Sequence, residues 1–152
     1  MSKPVKAFVI GAGGGHLTES LLATEGVPID RIIITFRMAH TEETLKSEKV
    51  RYIVDPHGNL IKYLINFLQS FYILLRDRPK VIINTGGGIS IATSLLGKFL
   101  FRSKLIYIES GARVTTASKT GDLMYKHADL FIVQWKGLLK FFPNAVYGGV
   151  LL

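Results

Sequence analysis

The sequence predicts an α/β domain built on a doubly wound, mostly parallel sheet. Three observations predict it. Runs that are apolar without period-2 alternation, such as "VKAFVI", "KVIIN" and "KLIYI", each with one lysine near its start, alternate with segments of helical pattern. Strands of that kind belong to sheets covered on both faces. Glycine clusters follow the first and fourth runs, where such a sheet turns into a helix. The composition, 48% hydrophobic and 20% charged over 152 residues, provides one sizeable core and argues against disorder.

The elements follow in order. "VKAFVI" is the first strand, stopped by Gly11, and His16 to Thr24 the first helix. "RIIITF" is a second strand, rich in β-branched residues. "TEETLKSE" is a short polar helical turn and "VRYIV" a third strand. "NLIKYLINFLQSFYILLRD" is a long helix. "KVIIN" is the fourth strand and runs into "TGGG"; Ser90 to Phe101 is the helix after it. "KLIYI" is the fifth strand and "GDLMYKHA" a short helix, which Asp129 is expected only to end. "LFIVQ" is the sixth strand. "GLLKFF" and "AVYGG" close the chain as a helical turn and an extended piece. No repeat or linker interrupts the pattern, so residues 1–152 are expected to form a single domain.

Several classes drop out. The chain has no cysteine, which excludes a disulfide scaffold and a thiolate metal site. It has no H-E-x-x-H pattern, and no metal is expected. The N-terminal apolar run is broken by glycines at once, as in a first strand rather than a signal peptide. No apolar stretch reaches the length of a spanning helix. The formal charge of +8 favours anionic partners. Between Arg78 and Leu105 there are five basic residues and no acid. The basic–aromatic and helix-turn-helix patterns of nucleic-acid binders are missing, so no nucleic acid is expected.

In open parallel sheets, ligands bind beyond the carboxyl ends of the strands. That rule puts Gly11–His16, Thr85–Gly88, Glu109–Lys119, and Gln134 with Trp135 on one rim. The first loop is not a P-loop, because no lysine follows. Gly11 and Gly13 fit the dinucleotide fingerprint G-x-G-x-x-G, but His16 stands at its third position. The second strand ends "TFRM" without the acid that would hold a ribose. Arg37 could meet a 2′-phosphate there, which keeps an NADP-dependent enzyme as an alternative. The glycines would let backbone amides approach an oxyanion, helped by the helix that follows. Gly86, Gly87 and Gly88 repeat the device, and two such loops on one rim suit a diphosphate. His16 is either a hydrogen-bonded first-turn residue or a general base, since histidine titrates near neutrality. Glu19, one turn on, either orients it or interacts with the helix dipole.

"GAGGGHLTES", "TGGG", "YIESGARVTTASKTGDLMY", "ADLFIVQW" and "FPNAVYGGVL" occur in that order. Together they resemble a family that covers nearly the whole chain. It holds the membrane-associated subunit of the split N-acetylglucosaminyltransferase of the dolichol-linked oligosaccharide pathway, with its bacterial capsule and exopolysaccharide counterparts. The first loop is also similar to that of the lipid II-forming N-acetylglucosaminyltransferase. The resemblance implies a GT-B glycosyltransferase cut in two, with this chain as the Rossmann-like, acceptor-side, N-terminal half. The chain ends at Leu152, about where a complete enzyme would cross into its second domain. A separate subunit would bind the nucleotide sugar. The implied acceptor is a polyprenyl-diphosphate-linked sugar, and the implied reaction an inverting hexosyl or N-acetylhexosaminyl transfer without metal or other cofactor.

Carried over by position, Gly13, Gly14, Gly15 and His16 match the family's first loop and Glu19 its acidic position. Gly86 to Gly88 match the second loop. Glu109, Arg113, Ser118, Thr120 and Gly121 match the central motif, and Gln134 and Trp135 the last. "TGGG" departs from the "NGPG" usual in the dolichol pathway, and Lys119 stands where an apolar residue is frequent. Both suggest a prokaryotic subfamily with its own acceptor.

An inverting transfer needs a base, and His16 and Glu109 are the rim candidates. Glu109, at a strand end, is expected to be fixed but accessible; the alternative is that it pairs with Arg113. Arg113 suits a phosphate through its forked donors. Ser118 and Thr120 are diphosphate donors, or Thr120 caps the next helix. Trp135 stacks on a sugar or belongs to the core.

A polyprenyl acceptor requires a protein at the bilayer, here peripheral on its cytoplasmic face. The helix over 59–75 has a narrow polar strip (Asn59, Lys62, Asn66, Gln69, Ser70) and is apolar elsewhere, including Leu64, Phe67 and Phe71. Such a helix is expected to be buried more fully than one sheet face requires. Phe99 and Phe101 lie beside Lys98 and Arg102, an apolar wedge with a basic flank suited to an anionic membrane surface. The alternatives are that both helices pack on the sheet and a partner, or that the chain is a non-catalytic membrane scaffold for a complete glycosyltransferase.

Overall fold

Each apolar run becomes a strand, and each strand runs in the same direction. The computed structural model describes residues 3–151; Met1, Ser2 and Leu152, the ends of the domain expected over 1–152, lie outside the described residues. In chain order these are β1 (Val5–Ile10), α1 (Gly15–Ala23), β2 (Ile29–Thr35), α2 (Ala39–Thr44), β3 (Val50–Tyr52), α3 (Leu60–Asp77) and β4 (Val81–Asn84). Then come α4 (Ser90–Phe99), β5 (Lys104–Ile108), α5 (Lys119–Tyr125), β6 (Leu130–Val133), a 3-10 turn at Lys136–Lys140, and β7 (Val146–Tyr147). The sheet is parallel in every pairing, with order β3-β2-β1-β4-β5-β6-β7. The strand order reverses between β1 and β4, and the crevice beyond their ends is where a doubly wound sheet takes its ligand.

The two faces of the sheet are covered unequally. Phe8 and Ile10 of β1, Ile82 of β4, Leu105 and Tyr107 of β5 and Phe131 of β6 share one core with Leu74 of α3, Leu96 of α4 and Met124 of α5. On the opposite face Val9 and Ile33 pack with Leu17 of α1 and Leu45, just past α2. Beyond β1 that second face thins out. Val81, Ile83, Ile106 and Ile132 are only half-buried there, and Leu130 and Val146 are exposed.

Local chemistry sets the helix ends. Asn59 caps α3, its side-chain oxygen accepting from the amides of Ile61 and Lys62 (3.0 and 3.1 Å). Helix α4 stops at Phe99, two residues before the expected end, where Arg102 takes a left-handed conformation (φ 56°) and the Ser103 amide returns to the Gly97 carbonyl at 2.9 Å. Helix α5 starts at Lys119 because Ser118, not Thr120, is its cap, with Oγ accepting from the Gly121 amide at 2.8 Å.

Asp129 does more than end a helix. Its Oδ2 accepts from the Leu105 amide at 2.8 Å and meets Lys98 at 3.1 Å, while Oδ1 faces Lys104 at 3.7 Å. Burial, the largest single influence, pushes its pKa up, but the Leu105 amide and the two lysines together outweigh it and hold the pKa below the ordinary value. A depressed carboxylate pKa stabilises the fold above the unfolded value of about 3.9, and the contribution is lost as pH falls through the folded value. Asp129→Asn is therefore expected to melt below wild type at pH 7, with the gap narrowing below about pH 4 and in high salt. A constant gap from pH 7 to pH 3 in thermal melts would rule this out.

Helix α3 is oriented against expectation. Its polar strip faces the protein and its apolar side faces out. Asn66 (1% exposed) and Ser70 are buried, with Asn66 Nδ2 donating to the Val54 and Ile89 carbonyls and Ser70 Oγ paired with Thr93 Oγ1 at 2.7 Å. Gln69 Oε1 accepts from the Val54 amide at 2.7 Å, and Asp77 forks with Arg51. Leu60 (84% exposed), Ile61, Leu64, Leu68 and Tyr72 point outward. Ile73 and Leu74 still reach the core, but the rest of the inward face is held by hydrogen bonds to α4 and to the segment after β3, which corrects the expectation of near-complete apolar burial. Among the described residues no helix is long and apolar enough to cross a membrane.

Candidate functional site

The site forms where the two glycine loops meet. Gly11 brings α1 close to β1: a Cβ there would stand 2.6 Å from the His16 carbonyl oxygen. It thus supplies the close packing that the third fingerprint glycine usually gives, and His16 is free for another use. Gly14 adopts φ 81° at the cap of α1, which has no side-chain cap, and Gly14 and Gly15 are exposed at the rim. Gly13 instead sits under Met38 and Phe36. Across the crevice, a Cβ on Gly87 would come within 2.6 Å of Ala12, so the loops touch there.

His16 is pinned from the second loop. Its Nδ1 lies 2.8 Å from the Thr85 carbonyl, and Thr85 Oγ1 donates to the His16 carbonyl at 2.7 Å. A carbonyl only accepts, so Nδ1 carries the proton and Nε2 of the neutral ring is an acceptor. Gly86 has φ 111°, and a Cβ there would press on the ring at 3.0 Å and on the Tyr107 hydroxyl at 3.2 Å. The Gly86 amide is already taken by Asn84 Oδ1 at 2.7 Å, which corrects its expected role as a phosphate donor.

Beneath His16 lies Glu19, 3% exposed. Its Oε1 accepts from the Gly111 amide (2.7 Å) and Ser110 Oγ (3.3 Å). Its Oε2 has no hydrogen-bond partner and stands 3.9 Å from His16 Nδ1. The carboxylate thus ties α1 to the loop after β5 and places negative charge under the imidazole.

Glu109 is not accessible, contrary to expectation. It is 1% exposed, and both oxygens are occupied. Oε1 accepts from the Ser110 amide (3.0 Å) and Ser118 Oγ (2.9 Å), and Oε2 from Ser118 Oγ (2.9 Å) and the Ser118 amide (3.3 Å). A side chain at Gly121 would overlap this carboxylate, which explains the glycine in "SKTG". Nor does Glu109 pair with Arg113, which is exposed and forms no ion pair among the described residues.

His16, Gly87, Arg113, Ser118, Lys119 and Thr120 surround one cavity of about 690 Å³, floored by Tyr107. Burial, and then the Glu109 carboxylate, raise the Tyr107 pKa well above its ordinary value, so the phenol remains a proton donor. Tyr107 escaped the sequence reading, and Thr85 was placed on the rim without a role of its own. The only signal was their place, Thr85 directly before the glycines and Tyr107 two residues before Glu109, on the opposite sheet face from Ile108.

Gln134 and Trp135 lie behind this cavity. Gln134 is buried, donating to the Glu109 carbonyl (3.1 Å) and accepting from the Leu151 amide (2.9 Å). Trp135 Nε1 donates to the Gly111 carbonyl at 2.7 Å, and its ring packs on the main core. Both brace the loop that carries Arg113. Arg37, the candidate for a 2′-phosphate, is engaged by Glu42 at 3.2 Å and lies over the Tyr52 ring. Of the residues with a possible membrane role, Leu64, Phe67, Phe71, Phe99 and Arg102 are exposed. Phe101 is half-buried edge-on to Phe71, and Lys98 is held by Asp129.

The strand order, the crevice at its switch point and the rim loops define a Rossmann-like domain with the fold seen in GT-B-type structures. The structure of MurG from Acinetobacter baumannii shares the fold, with a TM-score of 0.73 at 13% identity, over 88% of this chain and 43% of that one. The chain belongs to the Alg14-like family of oligosaccharide biosynthesis proteins, whose family model matches residues 36–151. It is similar to the UDP-N-acetylglucosamine transferase subunit ALG14 of Kluyveromyces lactis, 40% identical over 99% of this chain and 80% of that protein. The subunit of the same name from Candida albicans is 36% identical over 59% of this chain, and the match spans 43% of that protein's length.

Proposed function

We propose that residues 1–152 act as the acceptor-side half of a two-chain inverting N-acetylhexosaminyltransferase, with a second chain holding the nucleotide sugar. The observation that supports this most is the crevice itself. An imidazole with Nε2 free to accept, carried on the first turn of α1, and the cations Arg113 and Lys119 line one cavity, with the uncapped N-terminus of α1 next to the imidazole. That set fits a sugar hydroxyl to be deprotonated and an adjoining diphosphate. The likeness to proteins named as transferase subunits agrees with it.

In the proposed reaction His16 Nε2 takes the proton of the acceptor hydroxyl as its oxygen bonds to the anomeric carbon of the donor. The bond from that carbon to the nucleotide diphosphate breaks, and its electron pair leaves with the diphosphate. Glu19, beneath the ring, stabilises the imidazolium. Arg113, Lys119 and Thr120 hold the acceptor diphosphate, with the Tyr107 phenol as a further donor. Glu109, Ser118 and Gly121 position this loop rather than take part in proton transfer.

The second sheet face supports the two-chain reading. A parallel sheet is covered on both sides, and Ile106, Leu130, Ile132 and Val146 still await cover. The outward apolar face of α3, with Arg78, Lys80 and Arg102 past the ends of α3 and α4, supports peripheral placement on an anionic bilayer on its cytoplasmic side. Reconstitution tests the proposal. With a polyprenyl-diphosphate-linked sugar in anionic vesicles and UDP-N-acetylglucosamine, this chain alone should transfer nothing, and its separately encoded partner should restore turnover. Transfer by the isolated chain would refute the split.

A further inference from the structure

A second cavity, of about 410 Å³, runs along the seam between α3 and α4. It starts at Gly88 and Tyr63, passes Phe67 and Leu95, and ends at Phe99 and Leu100. From Gly88 to Leu100 this is about 18 Å at the helical rise. It offers almost no polar group. Asn66 in its wall is already spent on two backbone carbonyls, and the Tyr63 hydroxyl lies at its mouth, 3.9 Å from where a Gly88 Cβ would be. Its occupant is therefore hydrocarbon.

The groove adjoins the polar cavity. Gly87 lines one and Gly88 the other, so the cavity that holds Arg113 and Lys119 meets an apolar channel at a single backbone step. A ligand that suits both is an anionic head carrying a hydrocarbon chain. A bilayer surface is the wrong shape for this groove: Leu60, Leu64 and Tyr72 are exposed on α3, whereas Ala92 and Leu95 line a concavity of about 410 Å³.

We propose that the α3–α4 groove binds the first carbons of the hydrocarbon chain of a phosphate-bearing lipid whose head group occupies the His16–Arg113 cavity. The proposal rests on the acceptor reading of that cavity and adds where the chain leaves it. Gly88 then has its own purpose, since a side chain there would stand between head and chain.

Titration of the full chain with farnesyl diphosphate and with inorganic diphosphate tests this. Wild type should bind farnesyl diphosphate at least about ten-fold more tightly, which corresponds to about 1.4 kcal/mol. Ala92→Trp, which fills the groove, and Leu95→Gln, which makes it polar, should bring that ratio to about two-fold or less. Both should leave inorganic diphosphate affinity and flotation with anionic phospholipid vesicles unchanged. An intact ratio in a folded variant overturns the proposal, as does a matching loss of vesicle binding. Equal affinities in wild type, with inorganic diphosphate still bound, sink the groove and spare the acceptor reading; no binding of either sinks both. A benzophenone-bearing prenyl diphosphate, photolysed on wild type, needs no variant: it should label segments 63–67 and 91–100, and labelling elsewhere overturns the assignment.

Discussion

In the assembled two-chain enzyme, His16→Ala should lower kcat by about 10²- to 10⁴-fold, the usual worth of a positioned general base. The acceptor KM should change far less, because the cationic side chains that bind the head group remain. The expectation rests on how completely the ring is fixed. The Thr85 carbonyl holds Nδ1 at 2.8 Å, the Thr85 hydroxyl holds the His16 backbone at 2.7 Å, and the ring lies close against Gly86. The free nitrogen therefore points one way. Glu19→Gln keeps the shape but removes the charge 3.9 Å from Nδ1. It should lower kcat by about ten-fold, a loss of about 1.4 kcal/mol of transition-state stabilisation. A His16→Ala complex within about three-fold of wild-type kcat, less than a positioned base contributes, would remove His16 from the chemistry.

Glu109→Ala should be felt first as lost stability. It strips the acceptor from the Ser110 amide and from both the amide and hydroxyl of Ser118 in a site 1% exposed. Buried donors left unpaired by a lost carboxylate cost about 3 kcal/mol or more. At roughly 2–4 °C per kcal/mol for a chain of this size, the melting temperature should fall by about 6–12 °C. Gly121→Ala should do similar damage by forcing a methyl group into the same carboxylate. Glu109→Gln keeps two acceptor positions on one oxygen and should lose about half as much stability. The pair separates positioning from catalysis. If Glu109→Gln melts like wild type while kcat falls by about 10²-fold or more, Glu109 is the base after all.

Much of this was legible in the sequence, for a physical reason. Strands covered on both faces are apolar on both, so Val5–Ile10 and Lys104–Ile108, apolar but for one lysine each, stood out with their true bounds. The glycine loops and His16 were legible because chain geometry at a strand end restricts what fits. The orientation of α3 was not. Periodicity reveals which residues share a helix face but not which face meets the sheet. Asn66, Gln69 and Ser70 turned inward because Val54, Ile89 and Thr93, from other elements, offered them partners. Glu109 misled similarly: its local context, a strand end, suggests exposure, and its burial is imposed by Ser118 and Gly121 further along the chain. Gln134 and Trp135 read as rim residues, yet the 109–111 loop folds over them and claims their donors.

The half-bare second face of the sheet also bears on how much of this protein a cell can keep. A partner that binds the folded chain and not the unfolded one adds RT ln(1 + [L]/Kd) to its stability. On the two-chain reading proposed above, Ile106, Ile132 and Val146 are left for the second chain to cover, and persistence becomes a matter of stoichiometry. Copies made in excess of the partner would remain nearer to unfolding, and proteolysis would trim the pool toward matched numbers.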